Sequence, residues 1–352
     1  MKHRITALKY LCVMILPVLA IISFTSSGIL TFGPLLYAFG LIPLLELLFR
    51  PSSKNLTASE EAIAKDDWFY DLLVYSVVPI QFVCLYFFLD SMSAGNLTWV
   101  DKLGRVVAMG LMCGVIGING AHELGHRTRP YEQWMSQLLL LSSLYMHFFI
   151  EHNRGHHRNV ATEDDPASSK RGESLYSFWL RSTWFSYLSA WHLEAERLKK
   201  NGSSAFTLKN QMLQFQLIQL GFMGSIFFLF GLSGLLYFVA AATMGFLLLE
   251  TVNYIEHYGL RREKSESGRY ERVMPFHSWN SDHVVGRLVL FELSRHSDHH
   301  FLANRKYQIL RHINDTPQMP TGYPGMMLMS LIPPIWFKVM NKQLDNFKAE
   351  AA

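Results

Sequence analysis

The chain has 352 residues, half of them hydrophobic, and a formal net charge of only +4. So small a charge gives no grounds for a nucleic-acid partner, and a soluble chain of this length would divide its apolar residues between two cores. Instead they run together: Leu72–Leu89 and Leu232–Leu249 are each 18 residues without a charge, close to the roughly 20 apolar residues that cross a bilayer.

In chain order, six membrane-spanning helices are predicted, at 9–27, 29–49, 69–91, 104–121, 212–230 and 234–256. The expected fold class is all-α integral membrane, one domain over 1–352, with a cytoplasmic helical cap. Basic Met1–Lys9 is followed by no convincing small-residue cleavage site, so the first span is read as retained. Pro34, Pro43 and Pro79 are expected to kink their spans. Pro51–Asp67 is a polar loop with helical character, and Gly231, Ser233 and Gly234 form the turn between the last two spans. Trp134–Ile150 is apolar enough to cross, but one crossing there would part His126 from His152 by a membrane thickness. It is read as interfacial or re-entrant. Residues 174–200 read as an amphipathic helix ending at Lys199, Lys200, Asn201 and Gly202.

Of the 32 Lys and Arg, only Lys102 and Arg105 fall on the side of the 92–105 loop. Cytoplasmic loops collect Lys and Arg. Residues 1–8, 50–68, 122–211 and 257–352, both termini included, are therefore expected in the cytoplasm. Cys12, Cys84 and Cys113 are scattered through the spans, so the chain carries no cysteine cluster for an iron–sulfur or thiolate centre.

Fifteen histidines are present, and nine fall in four groups. These are His122 and His126; His152, His156 and His157; His257; and His296, His299 and His300. Helical residues four apart share a face. His122 and His126 can therefore grip one metal, His152 and His156 repeat that geometry, and His157 points to a second centre. His296, His299 and His300 again read as one face. Every group follows the cytoplasmic end of a span or of an apolar interfacial helix, so all can meet at one depth. Nine imidazoles exceed what one metal takes, and divide as four plus five between two. Imidazole suits iron, zinc, copper or nickel, and spacing does not choose among them. Glu123, Glu151, Glu256 and Asp298 sit beside these groups and could accept the second ring N–H of a ligand. Asn253, one turn before His257, could touch the site or simply pack. His3, His147, His192, His277, His283 and His312 read as terminal, packing, solvated or outlying. His122-Glu123-x-x-His126 also permits a zinc protease, which would leave seven clustered histidines without a role.

The motifs HELGHR at 122–127, EHNRGHHRNVATEDDPASS at 151–169, NYIEHYGL at 253–260, HSWNSDH at 277–283, LSRHSDHHFLANRKYQ at 293–308 and TGYPG at 321–325 closely resemble those of the membrane alkane 1-monooxygenase family. Arg127 stands where Lys is usual there, and Ser294 where Gln is common. The first 100 residues match mainly in hydropathy. The resemblance implies six membrane helices and two irons held by the nine histidines. It implies O2 as co-substrate and terminal hydroxylation of n-alkanes to 1-alkanols in a bacterial inner membrane. It also implies electrons from a separate rubredoxin and an NADH-dependent rubredoxin reductase. A fatty-acyl desaturase or aromatic-methyl hydroxylase shares the same histidine scaffold. An apolar channel among the spans over 29–121, opening to lipid, is expected to hold the alkane. Arg158, Arg261, Arg262, Arg305, Lys306 and Arg311 make a basic face that could steer an acidic rubredoxin, though the positive-inside bias alone accounts for such charges.

Overall fold

The computed structural model describes residues 7–351. His3 and most of the basic N-terminal segment lie outside them. Five helical runs are long and apolar enough to cross a membrane: Leu8–Thr25, Gly28–Leu48, Trp68–Met92, Trp99–Gly125 and Gln211–His257. No strand occurs among the described residues, only two isolated bridges.

The last run is 47 residues long and is broken at Gly231, whose φ of 69° and ψ of −176° lie outside the helical region. Glycine suits this point because a positive φ costs it nothing. The rings of Phe222 and Phe238 lie 5.5 Å apart, whereas 16 residues of straight helix would hold them about 24 Å apart. The chain therefore turns back on itself at Gly231, between the fifth and sixth predicted spans.

Helix ends follow ordinary capping chemistry. Thr98 and Asp101 form a capping box at the start of Trp99–Gly125, and Asp101 also accepts from Gly28 N at 2.6 Å, tying two loops together. Arg105 completes that end by donating to the carbonyls of Ser91 and Ser26. A second capping box, Thr57 with Glu60, starts helix Ala58–Asp66 inside the polar loop. Pro79 sits inside an unbroken Trp68–Met92 helix. Pro34 and Pro43 occupy first-turn positions, where Gly28–Leu48 changes from 3-10 to α and from π back to α. A missing N–H is least costly there.

Small residues let the fourth and last runs touch. A Cβ on Gly245 would lie 2.4 Å from Cys113 Cβ, and one on Gly110 would lie 2.7 Å from Met244 Sδ. Close packing of this kind joins helices in lipid, where hydrophobicity gives no drive. Trp68 and Trp99, both more than half exposed, mark the starts of two successive spans.

Residues 130–157 form no helix of membrane-crossing length. Helix Pro130–Leu141 stops in a turn containing Leu144 (φ 51°), and a second helical stretch begins at Phe148. Gln81 donates to Ser142 Oγ at 3.0 Å and pins that turn inside the bundle. His126 and His152 end 3.0 Å apart, as the re-entrant reading requires. Helix Leu175–Lys200, capped by Ser174, follows.

Candidate metal centre

The nine histidines of the four groups meet in one layer and sort into two sets. His122, His126, His152, His157 and His299 each bring a nitrogen within 4.8 Å of the others, and His156, His257, His296 and His300 form the second set. The closest Nε2 pairs are His126–His152 at 3.0 Å, and His152–His157 and His157–His299 at 3.1 Å. In the second set, His156–His300 are 3.2 Å apart and His257–His296 3.3 Å. Nitrogens about 2.1 Å from a common centre and about 90–109° apart lie about 3.0–3.4 Å from one another. The spacing fits two metals. His122 Nε2 points into its set with no hydrogen-bond partner. The sets touch where the rings of His157 and His300 stack at 4.5 Å.

Five plus four is the expected division, but membership differs from the sequence reading. His152–His156 is a π-helix, whose i→i+5 bonds align residues five apart. His152 and His157 therefore share a centre, and His156 turns to the other. On helix His296–Phe301, an i+4 residue lies about 40° around the axis from residue i and an i+3 residue about 60° the other way. His296 and His300 stay together, and His299 is sent across. Burial drives the His126 pKa down to about 3, and holds His152, His157, His296, His299 and His300 well below the usual value. Neutral imidazole is the form that binds metal.

The flanking carboxylates divide. Glu256 Oε2 lies 3.2 Å from His296 Nε2, and Tyr323 donates to its other oxygen at 2.7 Å. Glu151 faces no histidine nitrogen; its Oε1 has no partner, and burial raises its pKa. Glu123 accepts instead from Arg127, at 2.5 and 3.0 Å, and from Tyr307 N. That leaves it engaged rather than poised as the base of a zinc protease. Asp298 accepts from Arg311 N and pairs with Arg305, so it anchors the following loop. Asn253 is buried in the wall of the cavity beside His122, His152 and His296.

Asp165 was not anticipated. Its Oδ2 lies 2.9 Å from His156 Nδ1 and accepts from Ser168 Oγ at 2.5 Å. Burial alone would raise its pKa, but His156 and these hydrogen bonds hold it below the ordinary value. In sequence it cannot be told from its exposed neighbours Glu163 and Asp164. Among the other histidines, His277 faces Glu271, His312 faces Asp282 and His283 faces Ser281. His192 is exposed beside Glu196.

Two cavities reach the layer, one at His122, His152 and His296 and the other at His126. The first has about 870 Å³ of free space and an apolar wall from the first two spans (Leu16, Ala38, Ile42), the fourth (Val115, Ile118) and the last run (Leu248, Val252). Residues 286–296 and Tyr323, Pro324 and Met327 close it, and His122, His152 and His296 form its floor. The channel expected among the spans over 29–121 is therefore completed by the last run and the C-terminal region. The second cavity, about 1130 Å³, is polar and reaches His126 past Lys65, Asp66, Arg127, Arg129 and Lys306.

Most residues of the expected basic face have partners within the chain. Arg305 and Arg311 both pair with Glu61, and Lys306 pairs with Asp71. Arg261 and Arg262 donate to backbone carbonyls. Of the six only Arg158 is an exposed residue bonded to neither. The other five bind the protein's own groups.

An all-helical body with membrane-length spans over two imidazole sets defines the class of histidine-box membrane oxidoreductases. The family model described as fatty acid desaturase matches residues 97–329. Within that class, the chain belongs to the alkane 1-monooxygenase family. It is 39% identical to an alkane 1-monooxygenase of Acinetobacter baylyi over 88% of this chain and 76% of that one. It is 40% identical to alkane 1-monooxygenase 1 of Pseudomonas aeruginosa over 90% and 84%. The xylene/toluene monooxygenase hydroxylase component XylM of Pseudomonas putida is 28% identical over 78% and 74%.

Proposed function

We infer that this chain hydroxylates n-alkanes at the terminal carbon, using O2. The observation that carries the reading is the double imidazole set forming the floor of an apolar cavity, in a chain about 40% identical to alkane 1-monooxygenases. The balanced reaction is R–CH3 + O2 + 2 e⁻ + 2 H⁺ → R–CH2OH + H2O. A C–H and the O–O bond break, and one oxygen atom goes to carbon and the other to water.

Two irons suit these sets, His122, His126, His152, His157 and His299 holding one and His156, His257, His296 and His300 the other. When bound they supply the activation of O2 that no side chain can provide. The protein's part is positioning. Leu248, Val252, Val115 and Ile118 exclude water and align the chain end over His122, His152 and His296, and a fixed geometry replaces a chance encounter. Asp165 orients His156 through its outer ring nitrogen, whereas Glu256 lies against the inward nitrogen of His296.

Electrons come from a separate rubredoxin reduced by an NADH-dependent reductase, since the three cysteines are free and far apart. The polar cavity at His126 favours docking there. Six crossings, with the histidine layer and both termini cytoplasmic, are supported by the reversal at Gly231 and the distribution of Lys and Arg.

The test is conversion of a C5–C16 alkane series under ¹⁸O2 with rubredoxin and its reductase supplied, read by gas chromatography and mass spectrometry alongside metal analysis. Labelled 1-alkanols from protein holding two irons are expected. Iron-loaded protein that oxidises only acyl chains or methylbenzenes, or protein that loads zinc, would overturn the reading.

A further inference from the structure

Among the described residues, five that are not glycine have a positive φ, and only Phe291 (50°) and Glu292 (58°) are adjacent in the chain. A left-handed φ is unfavourable for any residue with a Cβ. Two in succession persist only where the surroundings over-determine them. Here both side chains are buried and held. The Phe291 ring meets Tyr307 edge to face at 5.0 Å, and Tyr307 meets Tyr10 in the same way at 5.1 Å. One Glu292 oxygen accepts from the Tyr10 hydroxyl at 2.6 Å, and the other lies 2.7 Å from Arg287 Nε. Lys9 and Arg295 stand 3.9 and 3.8 Å from the same carboxylate.

The flanks of this turn face the substrate. Leu290 and Leu293, on either side of the strained pair, line the apolar cavity, and His296 is part of its floor. Phe291 and Glu292 reach instead to Tyr307 and to the first span. The turn follows helix Val284–Val289 and leads into helix His296–Phe301. It is closed by Glu292 N donating to Arg287 O at 2.7 Å and Leu293 N to Leu290 O at 3.1 Å. One short segment thus carries both a wall of the cavity and a metal-binding imidazole, and the first span clamps it from outside. Relaxing either φ to the right-handed region would swing Leu293 relative to His296.

We propose that Glu292 is a positioning residue for regioselectivity: anchored to Tyr10, it holds the strained turn that sets Leu290 and Leu293 against the end of the alkane, so that the terminal carbon faces the metal layer. The proposal rests on the hydroxylase reading. An alkane has no polar group to grip, so its register depends on contact alone. A misplacement of about 1 Å can change a rate about 100-fold, and successive carbons of the chain lie little farther apart than that. A secondary C–H bond is also weaker than a primary one, so a wall that yields lets oxidation drift to the second carbon.

The test is octane oxidation with rubredoxin and its reductase supplied, with 1-octanol and 2-octanol separated by gas chromatography. Tyr10→Phe removes one oxygen atom from the clamp. Glu292→Ala removes the carboxylate but keeps a Cβ at a positive φ, and Asp282 remains beside Arg287 and Arg295. Both variants should keep two irons per chain, while the ratio of 2-octanol to 1-octanol rises about 5-fold or more. Glu292→Gly should recover part of the wild-type ratio, because glycine holds the turn without strain; loss of charge alone would not predict that recovery. Tyr70→Phe, whose ring joins the same cluster 6.0 Å from Tyr307, should match wild type. A wild-type ratio in Tyr10→Phe and Glu292→Ala, an equal rise in Tyr70→Phe, or Glu292→Gly no better than Glu292→Ala overturns the proposal and leaves the hydroxylase reading intact. If Glu292→Ala fails to accumulate or to load iron, Tyr10→Phe decides. Wild-type protein that makes no octanol overturns the hydroxylase reading, and this proposal with it.

Discussion

The two large cavities differ in almost everything except the layer they share. One is walled by aliphatic and aromatic side chains and reaches His122, His152 and His296. The other is walled by ionic pairs and reaches His126. His122 and His126 are one helical turn apart and belong to the same set, so a single turn separates an oil-like space from a water-like one. An enzyme that joins a water-insoluble substrate to a soluble electron donor needs that arrangement. The alkane must meet the oxidant where water is excluded, and the donor must reach it from where water is not.

The sharpest way to break this picture is to remove one imidazole from each set. His299→Ala and His156→Ala should each lower bound iron below two per chain and cut octane hydroxylation by more than about 100-fold, beyond the roughly 10–100-fold cost of losing an outer partner of a ligand. Full iron content with full activity in either variant would refute the assignment. Asp165→Asn tests the outer partner itself. It removes the carboxylate at His156 Nδ1 and should weaken iron binding about 10–100-fold, as read by competition with a chelator. Glu123→Gln, which touches no histidine nitrogen, should not weaken it comparably.

The apolar side is sharpened by narrowing it. Val252 lines the cavity one residue before Asn253, and Val252→Phe should shift the preferred alkane to shorter chains. Each methylene denied burial is worth about 0.8 kcal/mol, or about 4-fold in apparent affinity. A chain-length profile identical to wild type would show that the alkane lies elsewhere. On the polar side, Lys65→Glu with Arg129→Glu should raise the KM for rubredoxin about 3-fold at low salt, and leave kcat unchanged when donor saturates. An Arg158 variant gives the contrast, since that residue lies outside this cavity. An equal effect from Arg158→Glu would move the docking surface away from His126.

Much of this was legible in the chain because long apolar runs and i, i+4 histidines each have one simple geometric reading. The long apolar runs, the reversal at Gly231, the broken helix before His152 and the five-to-four division all follow from length and spacing. The misplaced ligands have one cause: spacing converts to direction only along an unbroken α-helix. The π turn at His152–His156 redirects His156 and His157, and no composition signal marks it. Carboxylates misled for another reason. Glu123 and Asp298 adjoin ligands in sequence, but Arg127 one helical turn on, the Tyr307 and Arg311 backbones and Arg305 claim them, and adjacency to a ligand does not decide which partner a carboxylate takes. Asp165 was hidden by the converse, a distant-looking residue folded back onto His156.

The smallest expected effect concerns His147, which is buried like the ligands but belongs to neither set. Burial lowers its pKa to about 3, against about 6.5 in an unfolded chain. The unfolded chain therefore takes up a proton that the folded protein refuses. The stabilisation is complete above pH 6.5 and is lost as pH falls towards 3. At pH 5.5 the loss from this one residue is about 1 kcal/mol. In protein loaded with iron, where the nine other imidazoles are tied up, His147→Gln should flatten the fall in thermal midpoint between pH 7.5 and 5.5 by an amount matching that loss. A slope unchanged by the substitution would mean that His147 is already solvated or already charged in the folded state.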